Sequence, residues 1–365
     1  ILIFYLKSHQ LFGGFFFEGV NSCLIIFVRM TAKDISFIIP VFNRPDEIKE
    51  LLESFLLLEG DHKFEIVIIE DGSTITSHSI ILQYSQHLDI SYHTKVNSGP
   101  GDSRNVGMRM AKGSFFIILD SDCLLPTHYL NTVLQHLTVS QIDCFGGPDA
   151  AHSSFSPIQK AINFSLTSFI STGGIRGKHR SVNTFQPRSF NMGLSKKAFE
   201  ATSGFGNIHP GEDPDLSIRL NKLGFKTVLI SKAYVYHKRR ISLTKFYHQV
   251  YKFGLVRPIL NTWHPHTRSI TYWFPTLFCL GSVLAIILAV NAIYWPVFLL
   301  GVYFLTAFFM AFNATKNIIV SLLSLVAIGI QFFGYGKGFL KSTVRLMSSN
   351  YNIEARFPEL FFKAT

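Results

Sequence analysis

Cysteine is scarce. Cys23, Cys123, Cys144 and Cys279 are the only four in 365 residues, and they form neither a CxxC pair nor a Cys/His zinc spacing. Neither a disulfide framework nor a structural zinc site is supported, and a reducing compartment is the default. Acids are also few: 23 Asp and Glu against 34 Lys and Arg leave a net charge of +11. The basic residues cluster beside apolar segments, which points to an anionic membrane surface and away from nucleic acid. Charge of either sign is missing from residues 269–315, a run of 47 positions. That run is too long for one membrane span and right for two, with Asn291 and Tyr294-Trp295-Pro296 marking the turn. After Lys316, residues 317–336 add 20 more uncharged positions. With Gly334 and Gly336 near its end, this stretch reads as a third span or as a re-entrant or interfacial piece, giving two to three spans in all.

The first 29 residues are apolar but broken by Lys7, Glu18 and Arg29, and their longest charge-free runs are 10 residues, too short to cross a bilayer. Residues 1–33 are therefore read as an N-terminal extension, with Met30 as the expected true start and a signal anchor as the rival.

From Ser36 onward the pattern is strand, helix, strand. Ser36–Phe42 is a continuous apolar strand, and Pro45 with Asp46 and Glu47 sets up a helix N-terminus. Ile48, Leu51, Leu52 and Phe55 follow at helical spacing. Phe64–Glu70 is a second strand, ended by Asp71-Gly72-Ser73, and a third lies near Ile90–His93. A glycine-rich turn, Asn97 to Gly107, opens the next helix. Phe115–Leu119 then runs straight into Asp120-Ser121-Asp122. Strands alternating with helices imply a mostly parallel sheet covered on both faces, which binds ligands at the carboxyl ends of its strands. To that edge the chain delivers Asn43 and Arg44, Asp71, Arg104 and Asn105, and Asp120 and Asp122. Two carboxylates one residue apart need a partner if buried, and a hard divalent cation held against a diphosphate suits them. The plainer alternative is a strand end followed by a helix cap.

Five segments in this order resemble the inverting family 2 glycosyltransferases of GT-A fold: SFIIPVFNRP (36–45), IIEDGS (68–73), GPGDSRNVGM (99–108), FIILDSDC (116–123) and GEDPDLSIRL (211–220). Together they cover about residues 36–237. The resemblance implies an α/β fold with a Rossmann-like, mostly parallel nucleotide-sugar-binding sheet, followed here by C-terminal transmembrane helices. It places Pro40, Phe42, Asn43, Asp71, Arg104, Asn105, Asp120 and Ser121 around the donor nucleotide, and Asp122 with Asp120 on Mg²⁺ or Mn²⁺. Arg44 stands where many relatives carry Glu, so the donor base, uridine or guanosine, stays open. The segment 187–205 is similar to the one that lines the donor sugar and acceptor, with Arg188, Asn191 and Gly193 as its contacts. Asp213, beside Glu212, is assigned as general base, since an acceptor hydroxyl must lose a proton as it attacks the anomeric carbon. His237, at the end of a strand-like stretch over 226–237, resembles a histidine that contacts the metal or diphosphate.

From Lys238 to Arg268 inclusive stand seven Lys or Arg and no acid. This basic juxtamembrane segment, 238–268, would keep the domain at 34–237 on the cytoplasmic side of the plasma (inner) membrane, where nucleotide sugars are found. The basic tail, 337–365, fits that side less easily if three spans cross. Gln249-Val-Tyr-Lys252-Phe253 echoes a Gln-x-x-Arg-Trp element of processive synthases. The favoured reading is an interfacial helix with Phe246, Val250 and Phe253 toward lipid, and His264 and His266 are read as interfacial packing. The expectation is a multi-pass, metal-dependent enzyme that moves a sugar from a UDP- or GDP-sugar to a lipid-linked or glycan acceptor, with no nucleic-acid partner. The alternatives are a polyprenyl-phosphate sugar synthase, a processive polysaccharide synthase or a non-catalytic membrane assembly subunit.

Overall fold

The computed structural model describes residues 30–60, 63–150, 155–173, 185–237, 242–347 and 352–362. The expectations for residues 1–29 and for the basic positions 238–240 lie outside these.

The first half alternates as expected: β1 (Ile35–Val41), α1 (Pro45–Leu56), β2 (Glu65–Asp71), α2 (His78–Tyr84), β3 (Asp89–Lys95), α3 (Pro100–Met110) and β4 (Phe115–Leu119). These four strands pair in parallel, in the order β3-β2-β1-β4. Strands covered on both faces explain the unbroken apolar runs. Ile35, Phe37, Ile39 and Val41 of β1 enter one core layer with Phe55 and Phe64, whereas Ile38 enters the opposite layer with Val67, Ile69 and Met108. Gly107 lets α3 sit close on the sheet, because a Cβ there would stand 2.6 Å from Cγ2 of Ile38.

The second half adds β5 (Cys123–Leu124), α4 (Tyr129–Val139), β6 (Cys144–Gly146), β7 (Asp149–Ala150), α5 (Pro157–Thr167), α6 (Phe169–Thr172), β8 (Asn191–Ser195), α7 (Lys196–Thr202), α8 (Glu212–Lys222), β9 (Thr227–Leu229) and β10 (Val235–His237). β8 runs antiparallel between β4 and β6, and β9 closes a seven-stranded sheet, β3-β2-β1-β4-β8-β6-β9. A small sheet, β5-β10-β7, stands beside it. Its register sets His237 opposite Cys123, and so next to Asp122.

Four long helices follow: α9 (Leu243–Trp263), α10 (Phe274–Val290), α11 (Trp295–Thr315) and α12 (Ile318–Met347), then the short α13 (Ile353–Arg356). Three stretches, Ile270–Val290, Trp295–Thr315 and Ile318–Met347, are long and apolar enough to cross a membrane. The glycine-rich third segment is not broken: α12 is one continuous helix of 30 residues. Its glycines serve close packing instead. A Cβ on Gly338 would lie 2.2 Å from the Tyr251 carbonyl oxygen, and one on Gly254 would lie 2.2 Å from that of Tyr335. Small residues thus bring the α9 and α12 backbones together. The expected lipid-facing side of α9 is corrected as well. Phe246 and Val250 are fully buried against Ile162 and Leu166 of α5 and Ala327 of α12.

Candidate active site

The strand ends converge on a cavity of about 1700 Å³. Pro40 and Phe42 reach it from the end of β1, Asp71 from β2, Arg104 from α3, Asp120, Ser121 and Asp122 from the end of β4, and His237 from β10. Asp213, in the first turn of α8, and Arg188, which stands before β8, line the same cavity.

The acid pair divides its work. Asp120 Oδ1 accepts from Arg104 Nη2 at 2.7 Å. Arg104 is 3% exposed and donates through Nη1 to Glu212 Oε1 at 3.0 Å, where His209 Nδ1 also stands at 3.0 Å. Asp122 Oδ2 takes the Arg44 guanidinium at 2.5 Å, while Oδ1 faces His237 Nε2 at 3.1 Å. Burial would raise the Asp122 pKa, but His237 and Arg44 outweigh it and hold the carboxyl well below its usual range. The His237 ring is stacked on Phe190 with centroids 4.7 Å apart, which fixes its orientation.

This pair fits a divalent cation. Asp122 Oδ1 is buried and has no well-aligned hydrogen bond, and Asp122, Cys123 and His237 each bring a ligand atom within 4.8 Å of the others. Burial pushes the Cys123 thiol up, and its Sγ donates to the Phe190 carbonyl at 3.4 Å, while a hard divalent cation prefers oxygen and imidazole nitrogen to a thiol. The carboxylate oxygen and the imidazole nitrogen are therefore the donors that suit Mn²⁺ or Mg²⁺.

Asp71 is largely committed within the protein. Its Oδ1 accepts from Lys95 Nζ at 2.6 Å and from the Ser98 amide at 3.0 Å, and its Oδ2 accepts from the Gly99 amide at 2.9 Å. The carboxylate thus anchors the turn before α3 at the edge of the cavity.

Five sequence candidates stand apart from the cavity wall. Asn43 Oδ1 accepts from the amides of Thr74 and Ile75, and so braces the loop after β2. Asn105 makes two 2.8 Å hydrogen bonds with the Phe205 backbone. Asn191 is fully buried, accepting from the Tyr129 hydroxyl at 2.6 Å and donating to the Ala233 carbonyl at 2.8 Å. Gly193 is a packing glycine, since a Cβ there would stand 2.0 Å from Cε1 of Phe145. Asn191 and Gly193 are therefore struts rather than sugar contacts. Glu212 is buried behind the wall. Burial would raise its pKa, but the His209 ring and the Arg104 guanidinium hold it down at about 2. It serves as an anchor for Arg104, whereas Asp213 faces the cavity with Arg188 Nη1 at 3.5 Å.

Sequence reasoning missed or misread five contributors. His209 stands three residues before Glu212 but outside α8, so no helical spacing in the sequence signals the pair. His264 is not interfacial packing: its Nε2 lies 2.8 Å from Asp215 Oδ1, tying the end of α9 to α8. Lys245, Lys252 and Arg257 of α9 line the cavity, and none of them pairs with a carboxylate among the described residues. Arg257 Nη1 is buried without a hydrogen-bond partner among the described residues, and its guanidinium lies 4.5 Å over the Tyr272 ring. Beyond these cations the cavity continues to Phe274 at the start of α10 and to Tyr335 of α12.

Residues 36–202 match the family described as Glycosyl transferase family 2. The chain is 32% identical over 119 residues to an uncharacterized glycosyltransferase of Rickettsia bellii, covering 30% of this chain and 17% of that protein. It is 24% identical over 239 residues to the glycosyltransferase GlyA of Streptococcus pneumoniae, covering 61% of this chain and 33% of that one. The chain thus spans a third or less of the length of these two relatives. Among solved structures, the mannosyltransferase PcManGT of Pyrobaculum calidifontis, in complex with GDP-Man and Mn²⁺, aligns with a TM-score of 0.54 at 14% identity, over 85% of this chain and 87% of that one. That likeness is one of fold, and the fold is GT-A.

Proposed function

Residues 36–202 belong to glycosyl transferase family 2, and from that premise we propose that the chain transfers one sugar, with inversion, from a nucleotide-sugar donor to a lipid-linked or glycan acceptor at the cytoplasmic membrane face. One observation carries the reading. A single cavity joins the acids at the carboxyl ends of β2 and β4 to the foot of the apolar helices. A donor bound at the sheet edge and an acceptor borne by the membrane can therefore meet inside one enclosure.

In this reading the nucleotide lies along the ends of β1 and β2, with its diphosphate toward Arg104, Arg44 and Asp122. Asp122 and His237 would hold Mn²⁺ or Mg²⁺, which supplies charge neutralisation to the departing diphosphate. Arg44 adds a fixed positive charge at the same carboxylate. Asp213 takes the proton from the acceptor hydroxyl, and Arg188 orients it for that step. The Arg104–Glu212–His209 cluster, in which Arg104 and Glu212 are buried, keeps Asp120 and the start of α8 in a fixed relation, so the base and the donor site share one rigid frame. The GDP-Man and Mn²⁺ held by PcManGT support a sugar nucleotide and a metal for this fold. The cations of α9 beside the apolar mouth, which pair with no carboxylate among the described residues, favour an acceptor carried on an anionic lipid.

The test is transfer by the detergent-solubilised chain from a panel of UDP- and GDP-sugars with Mn²⁺ or Mg²⁺ and a membrane lipid extract. Asp213→Asn is expected to lower transfer by about 10²–10⁴-fold while leaving nucleotide binding intact. Asp122→Ala is expected to weaken both. A Asp213→Asn variant that transfers sugar at the wild-type rate would remove the base assignment and favour an acceptor that is already ionised, such as a phosphate.

A further inference from the structure

Residues 352–362 lie against the α/β domain as a strap. The His209 amide donates to the Leu360 carbonyl at 2.7 Å, Ile208 and Phe361 form an antiparallel bridge, and Asn207 Nδ2 donates to the Phe362 carbonyl at 3.0 Å. Phe357 and Leu360 are fully buried with Ile208 and with Leu255 and Ile259 of α9, which pins the strap at its base. It therefore lies along the loop that leads into α8, the helix that carries Asp213.

Its last described side chain reaches the cavity. Phe362 lines it together with Asp71, Gly72, Asn97 and Pro100, at the end made by the tip of β2 and the turn before α3. The ring covers Gly99: a Cβ there would stand 2.3 Å from two of its carbons. Gly99 has φ of 95°, a left-handed value that favours glycine, so backbone angle and ring contact together call for a residue without a side chain. The Gly99 amide in turn donates to Asp71, so the Phe362 ring is one residue removed from that carboxylate. The ring also neighbours His209, with centroids 6.1 Å apart and planes inclined at 48°.

We propose that Phe362 forms the aromatic wall of the subsite for the donor's nucleobase, stacking on the base at the Asp71 end of the cavity. The inference rests on the nucleotide-donor reading above and adds a residue from beyond the last membrane helix. A base offers a flat π-face that an aromatic ring recognises with little regard to its identity. Phe42, half exposed after β1, also lines the cavity, and Asn43 next to it binds the loop that follows Gly72. The two rings come from opposite ends of the chain. The nucleotide site is then complete only when α12 and its strap are docked, which makes donor binding dependent on the membrane helices.

The test is calorimetric titration of the full chain in detergent with UDP, GDP and inorganic pyrophosphate, each in the presence of Mn²⁺, for wild type, Phe362→Ala and Phe362→Tyr. The expected result is a nucleotide Kd raised about tenfold or more in Phe362→Ala, largely restored in Phe362→Tyr, with pyrophosphate binding equal in all three. Equal nucleotide affinity in Phe362→Ala would overturn the inference. So would a parallel loss of nucleotide and pyrophosphate, because the strap would then be only a structural support. A wild-type chain that binds pyrophosphate but neither nucleotide would remove the donor reading, and this inference with it.

Discussion

Replacing Glu212 by Gln separates structure from catalysis at this site. The Glu212 side chain is 5% exposed and lies between Arg104, itself 3% exposed, and His209. Its carboxyl is held at about 2 instead of the model-compound 4.5. A difference of about 2.5 units at 1.36 kcal/mol each corresponds to about 3 kcal/mol of stability at neutral pH. The sign follows from the direction of the shift. A carboxyl depressed in the folded state contributes fully above its unfolded value of 4.5, and the contribution fades as pH falls toward 2. Truncating one partner of a buried ion pair costs about 3–5 kcal/mol. Because Arg104 keeps Asp120, the lower end of that range applies. Urea unfolding of the detergent-solubilised chain, followed by tryptophan fluorescence, is expected to show Glu212→Gln about 3 kcal/mol less stable at pH 7. The deficit should shrink as pH is lowered from 4.5 toward 3. A variant of wild-type stability at pH 7, or a deficit independent of pH across that interval, would refute the reasoning.

Three further outcomes follow from the same geometry. Arg44→Ala removes the cation on Asp122 Oδ2, so Mn²⁺ bound to the chain, read by electron paramagnetic resonance, is expected to bind several-fold more tightly; unchanged affinity would place the metal elsewhere. Arg257→Gln should raise the KM for a lipid-borne anionic acceptor about tenfold, through loss of about 1.5 kcal/mol or more from a charge-assisted hydrogen bond, with the KM for the donor unchanged. Gly338→Val forces side-chain atoms against the Tyr251 carbonyl and is expected to cost about 1–3 kcal/mol or more, seen as loss of monodisperse protein in detergent.

The parallel half of the fold was legible because its signals are local. The strand expected at Phe115–Leu119 has those bounds in the structure, and α1 starts at Pro45 as its N-terminal residues imply. The turn near Asn291 between two apolar helices was legible for the same reason, as α10 ends at Val290 and α11 begins at Trp295. What escaped depends on pairings far apart in sequence. Asn191 looked like a sugar contact, but its two polar atoms are taken by Tyr129 and Ala233, 62 and 42 residues away. Phe246 and Val250 looked lipid-facing because an apolar face reads alike whether lipid or protein covers it, and here α5 and α12 do. The glycines of α12 carried two meanings, helix break or close approach, and the contact with α9 selects the second. Glu212 and Asp213 are adjacent and chemically alike. Helical geometry turns one into the buried Arg104 cluster and the other toward the cavity.

The most direct test of one cavity serving both a soluble donor and a membrane-borne acceptor is where a labelled sugar goes. The full chain in lipid nanodiscs that contain native lipid extract would be given a radiolabelled nucleotide sugar and Mn²⁺, and the label partitioned between organic and aqueous phases. The account predicts donor-dependent label in the organic phase, lost in Asp122→Ala. Label that accumulates only in a water-soluble product, with the lipid fraction empty, would contradict it.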